Sequence, residues 1–162
     1  PFCVPVLVQI GRERVGGGQA AEMILDASAY GFDEEELIAF ARRYDPQSFH
    51  VDPQAASQSF FGGLIASGWH TGSMMMRVLV DRYLSRLAGM GSPGMDELRW
   101  TAPVRPGDRL WFRFSVIEAR RSESKPDRGV VRILIEVIND KGVVAMSVKA
   151  MTLVRCRTAG AP

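Results

Sequence analysis

At 162 residues the chain fits one domain with a sizeable core. A formal net charge of +2, with basic residues interleaved among acids and no basic tract, excludes an electrostatic nucleic-acid binder. A composition of 46% hydrophobic and 23% charged residues is ordinary for a globular protein, and no uncharged apolar run reaches transmembrane length.

The apolar stretch from Phe2 to Ile10 has no basic residue before it and is too short to span a bilayer, so no membrane role and a cytoplasmic location are expected. Cys3 and Cys156 lie near the two ends. They could pair, but free thiols in a reducing cytosol are the simpler expectation, and without a Cys-x-x-Cys pair no structural zinc site is expected. Residues 1–20 read as an irregular segment, glycine-rich over 11–20, ahead of a single domain spanning 21–162.

Residues 22–30 predict a first strand. Asp33 then has the form of a helix N-cap, with Glu36 three residues on completing a capping box. Leu37, Ile38, Phe40 and Ala41 give that helix an apolar face, and it should end near Tyr44, before Asp45-Pro46. Asp52-Pro53 predicts a short helical turn. A long helix is expected from about Ser67, because Trp69, Gly72, Met75, Met76, Leu79, Val80, Tyr83, Leu84 and Leu87 recur at steps of three and four. Gly89 and Gly91 should end it. Strands are then expected over 95–103, 109–121, 129–139 and 143–155, separated by turns such as Pro106-Gly107-Asp108 and Asn139-Asp140-Lys141-Gly142. Such short connections predict a four-strand antiparallel meander, curved around the long helix in an α+β architecture.

One stretch carries candidate chemistry. Asp45 precedes His50 by five residues, with Pro46 between them, and Phe61-Gly-Gly-Leu-Ile-Ala-Ser-Gly-Trp69 leads into the long helix. An acid and an imidazole on a rigid turn beside a helix start suit proton chemistry next to a carbonyl. Each residue alone has a plainer reading: Asp45 as a turn residue, His50 and His70 as structural hydrogen-bonding groups, Gly68 as a packing glycine, Met74–Met76 as adaptable core.

These residues together resemble the MaoC-like, (R)-specific enoyl-CoA hydratases. Asp45-Pro-Gln-Ser-Phe-His50 is similar to that family's Asp-x-Asn-Pro-x-His signature, with Gln47 where many members have Asn and Pro46 before it instead of after. Arg99-Trp100 through Pro103-Val104-Arg105-Pro106-Gly107-Asp108 resembles the family's next strand and turn. The resemblance implies a hotdog fold, a curved antiparallel sheet around a central helix. It implies that Asp45 and His50 hold and activate one water, and that the amide of Gly68 faces a thioester oxygen. Gln47, Phe49, Gly63, Ser67 and Trp69 are the residues expected to meet substrate. The implied reaction interconverts a 2-enoyl-CoA and a 3-hydroxyacyl-CoA. It needs no metal and no dissociable cofactor, since CoA arrives as part of the substrate. A homodimer or a dimer of dimers is implied, with sheets joined edge to edge. The alternatives on the same scaffold are an acyl-CoA thioesterase and a non-catalytic acyl-CoA-binding protein.

Overall fold

The computed structural model describes residues 22–27, 30, 32–82, 84 and 89–156. The irregular segment expected over 1–20 lies outside them. Five strands form one antiparallel sheet: β1 (Glu22–Asp26), β2 (Gly94–Trp100), β3 (Leu110–Arg121), β4 (Arg128–Asn139) and β5 (Val144–Arg155), in the order β1-β3-β4-β5-β2. Ahead of β2 come α1 (Glu34–Tyr44), α2 (Ser48–Val51), α3 (Pro53–Ser57) and α4 (Gly68–Arg82).

The sheet's inner face is set by alternation. Phe112 pairs with Val137 and Val137 with Met146; Phe114 pairs with Ile135 and Ile135 with Val148. All six are buried, and they share one core with Met75, Val78 and Leu79 of α4. Side chains of period two on the strands thus meet the apolar stripe of one helix. This is the hotdog arrangement expected of the sequence. Helix α1 has the expected N-cap, the Asp33 carboxylate accepting from the Glu36 N–H at 2.8 Å, while the Glu36 carboxylate that was expected to complete a capping box lies 3.8 Å from His70 Nε2. Asp52 caps α3 in the same way, accepting from Gln54 and Ala55.

Three expectations need correction. The meander holds only for β3, β4 and β5; β2 pairs with β5 at the far edge and not with β3, its neighbour in sequence. The reason lies in residues 101–109, which turn away to bond other elements instead of closing a hairpin: the Val104 carbonyl accepts from Ala66 N–H, and Gly107 N–H donates to the Phe32 carbonyl. The first strand is shorter than expected, ending at Asp26. Cys156 is buried and disulfide-bonded, not a free thiol; Cys3 lies outside the described residues. Helix α4 is described as far as Arg82, and most of its expected continuation to Leu87 also lies outside them. No described helix is long and apolar enough to cross a membrane.

Strand β2 carries a bulge. Asp96 pairs with Lys149 and Arg99 with Ser147, so three steps on β2 oppose two on β5, and Glu97 takes a left-handed conformation (φ 53°). One extra residue reverses which side chains face the helix. Trp100, now opposite the buried Met146, is thereby turned toward the start of α4.

Candidate active site

Asp45 is the C-cap of α1, and Pro46 keeps that helix from continuing. The chain reverses through Gln47 and enters the single turn α2, which carries His50. This brings the two side chains together: His50 Nε2 lies 3.3 Å from Asp45 Oδ2. His50 is 5% exposed, and its Nδ1 is 2.9 Å from the Ile65 carbonyl oxygen. A carbonyl can only accept, so Nδ1 carries the hydrogen. In the neutral ring the lone pair is then on Nε2, facing Asp45.

Asp45 has two further partners. Ser67 Oγ donates to Oδ2 at 2.7 Å, and Gln47 Nε2 donates to Oδ1 at 2.8 Å. The Ser67 hydroxyl, with help from Gln47 and from the nearby His50 and against partial burial, holds the carboxyl below the usual aspartate range. Ser67 also caps α4: its Oγ accepts from Trp69 N–H at 3.2 Å, and its carbonyl accepts from His70 and Thr71. Gly68 is therefore the first residue of the helix, and among the described residues nothing accepts its N–H.

A cavity of about 410 Å³ opens in front of these groups. Asp45, Gln47, Phe49, His50, Gly68 and Trp69 line it, as does a second wall from Trp100 to Val104. Of the residues expected at the substrate, Ser67 and Gly63 do not line it. Ser67 is fully buried behind Asp45. The open side of Gly63 faces the Arg105 guanidinium, where a Cβ would lie 3.2 Å from a terminal nitrogen. His70 also points away from the cavity: it is buried, stacked on Phe40 and tilted against Phe32, and its pKa is lowered mainly by that burial.

Trp100, not among the residues expected to meet substrate, also lines the cavity. Its indole covers Gly68, so that a Cβ there would lie 2.5 Å from Cε2, and its Nε1 donates to the Gly68 carbonyl at 3.0 Å. Trp69 packs edge-on against it with ring centres 5.2 Å apart. In the sequence Trp100 falls within the strand expected over 95–103, and its facing depends on the bulge at Glu97.

The role of Ser67 can be tested directly. Ser67→Ala removes the donor that most lowers the Asp45 pKa, so the carboxyl titration, followed by carbon-13 NMR, should move up toward ordinary aspartate values. Loss of the cap should cost about 1 kcal/mol of stability near neutral pH. Because the folded pKa is lowered, the contribution of Asp45 to stability is present above its unfolded pKa and is lost as pH falls through the folded one. Wild type and variant should therefore converge in Tm on acidification, leaving only the capping difference.

Residues 18–153 match the profile of the MaoC-like domain family. The crystal structure of a MaoC-like dehydratase from Rhodospirillum rubrum superposes with a TM-score of 0.78 and 36% identity, over 88% of this chain and 96% of that one. The Bacillus subtilis protein YdeM is 26% identical across 75% of this chain and 85% of its own length. The 3-hydroxyacyl-thioester dehydratase Z of Mycobacterium tuberculosis is 27% identical across 73% and 80%.

Proposed function

The chain belongs to the MaoC-like dehydratase family, and we propose that it interconverts a 2-enoyl-CoA and a 3-hydroxyacyl-CoA by adding or removing one water held between Asp45 and His50. The observation that carries this reading is the pair itself. His50 Nε2, the ring nitrogen not bonded to Ile65, and Asp45 Oδ2 face each other at 3.3 Å at the wall of a largely apolar cavity. A water donating one O–H to each satisfies both and leaves its oxygen lone pairs free for a carbon electrophile.

In hydration the water oxygen bonds to C3 while His50 Nε2 takes its proton. Asp45, held as a carboxylate by Ser67 and Gln47, is the poorer base; it orients the water and stabilises the imidazolium beside it. Negative charge moves to the thioester oxygen, where the Gly68 N–H at the positive end of α4 is the donor. The imidazolium then returns a proton to C2, so water is added in full and His50 is regenerated. Both additions come from one face, so hydration should be syn. Dehydration runs the same steps backward. CoA enters as part of the substrate, and no step calls for a metal or another cofactor.

Incubation with crotonyl-CoA tests the reading. Loss of enoyl absorbance without thiol release is expected; release of free CoA would mean a thioesterase, and neither change would leave a binding protein. Among the described residues β1 and β2 are the outermost strands of the sheet, and β2 is exposed along nearly its whole length. Open edges favour pairing with another chain. A homodimer or a dimer of dimers is therefore part of the proposal, and light scattering that found a stable monomer at micromolar concentration would refute that part.

A further inference from the structure

We propose that Arg105 is a positioning residue that fixes the tautomer of His50 by clasping the loop between α3 and α4. The loop passes through Gly62 (φ 63°) and Gly63 (φ 155°), both in the region that favours glycine, so its own backbone does little to hold it. Arg105 Nη2 donates to the Phe61 carbonyl at 2.6 Å and Nη1 reaches the Leu64 carbonyl at 3.5 Å, one on each side of the glycine pair. Gly63 leaves the space that the guanidinium occupies. The base of the clasp is itself fixed, since Arg105 N–H donates to the Asp108 carboxylate at 2.8 Å and the Val104 carbonyl accepts from Ala66.

The residue caught between these ties is Ile65. Its N–H donates to the Phe49 carbonyl at 3.3 Å, and its carbonyl takes the His50 Nδ1 hydrogen. The direction of that carbonyl decides which imidazole nitrogen is left free to face Asp45. Phe61, at the other end of the loop, is part of the cavity wall. A planar fork suits this task because it reaches two carbonyls at once, which an ammonium cannot do in the same geometry. Arg105 does not itself line the cavity, so this role differs from holding a CoA phosphate.

The kinetic part of the test rests on the hydratase reading; the spectroscopic part does not. Arg105→Met and Arg105→Lys would be compared with wild type, the lysine variant preserving stem and charge should the methionine variant fold poorly. Nitrogen-15 NMR of the imidazole should show the Nδ1–H tautomer of His50 in wild type and a mixed or reversed population in both variants. Turnover should drop by roughly tenfold to 10²-fold, the scale set by small misplacements of a reacting group. It should drop equally on crotonyl-CoA and on S-crotonyl-N-acetylcysteamine, with KM little changed. An unaltered His50 tautomer in a folded variant overturns the proposal whatever the activity. So does a rise in KM confined to the CoA substrate, which would make Arg105 a phosphate contact. A shifted tautomer in a protein that hydrates nothing would uphold the clasp and refute the hydratase reading.

Discussion

Asp45→Asn and His50→Gln are each expected to lower kcat by roughly 10²–10⁴-fold, the usual contribution of a general acid–base group. Asparagine keeps the size of Asp45 but not its two acceptors. The Ser67 hydroxyl and His50 Nε2 both address Oδ2, and Gln47 addresses Oδ1, so an amide oxygen at Oδ2 sets its NH2 against Gln47, while an NH2 at Oδ2 meets His50 Nε2 and gives up the acceptor of Ser67. Glutamine at position 50 cannot exchange a proton near neutrality. His50 is buried and bonded to Ile65, so its replacement should also cost about 1–3 kcal/mol of stability. Urea unfolding will separate that cost from the loss of turnover. If one water serves both residues, the double variant should be little worse than the poorer single variant. KM should move much less than kcat, since neither side chain grips the CoA. Hydration and dehydration must fall together because they share a transition state. A folded single variant retaining more than about a tenth of wild-type turnover would falsify the dyad, since that loss is far below what such groups contribute.

The elements that could be read in advance were those written into neighbouring residues. Asp33 accepts the expected backbone N–H at the start of α1, and the short helical turn expected at Asp52-Pro53 is present, because such features are local matters. The spacing of Asp45 and His50 was legible for the same reason: a proline-terminated helix followed by a single turn fixes their approach within six residues. What could not be read is long-range. Nothing local tells that β2 crosses to β5, since its partner lies about fifty residues away. The facing of Trp100 depends on the bulge at Glu97, a non-glycine residue with a left-handed backbone that no pattern of glycines announces. Ser67 and Gly63 were placed at the substrate from their position beside the helix start. Burial moves Ser67 one layer back, where it holds Asp45, and the half-buried Gly63 makes room for Arg105. In both cases the residue type could be read as functional, but its partner is far away in sequence.

Gly68→Ala is expected to be strongly impaired, and the reason must be separated from the chemistry. The missing Cβ faces the Trp100 indole, not open cavity, so an alanine methyl would drive the indole away and break its bond to the Gly68 carbonyl. The glycine is thus needed for the tryptophan, whatever its N–H does. Removing the obstruction gives a cleaner background. In Trp100→Ala the space over residue 68 is open, and Gly68→Ala added to it should turn over about as well as Trp100→Ala alone, since the N–H is still present. Gly68→Pro in that same background is the informative comparison. Residue 68 is the first of the helix, the position where proline is best tolerated because its φ suits the helix and no intrahelical bond is lost. The substitution therefore deletes the N–H while disturbing little else. If that N–H stabilises the thioester oxygen as negative charge develops, the proline variant should fall about 10²–10³-fold below the alanine variant in kcat, the cost of one oxyanion donor. Circular dichroism and Tm should be alike for the two. Equal turnover in the alanine and proline variants would mean that another group bears the charge, and Gly68 would then be a packing glycine beneath Trp100.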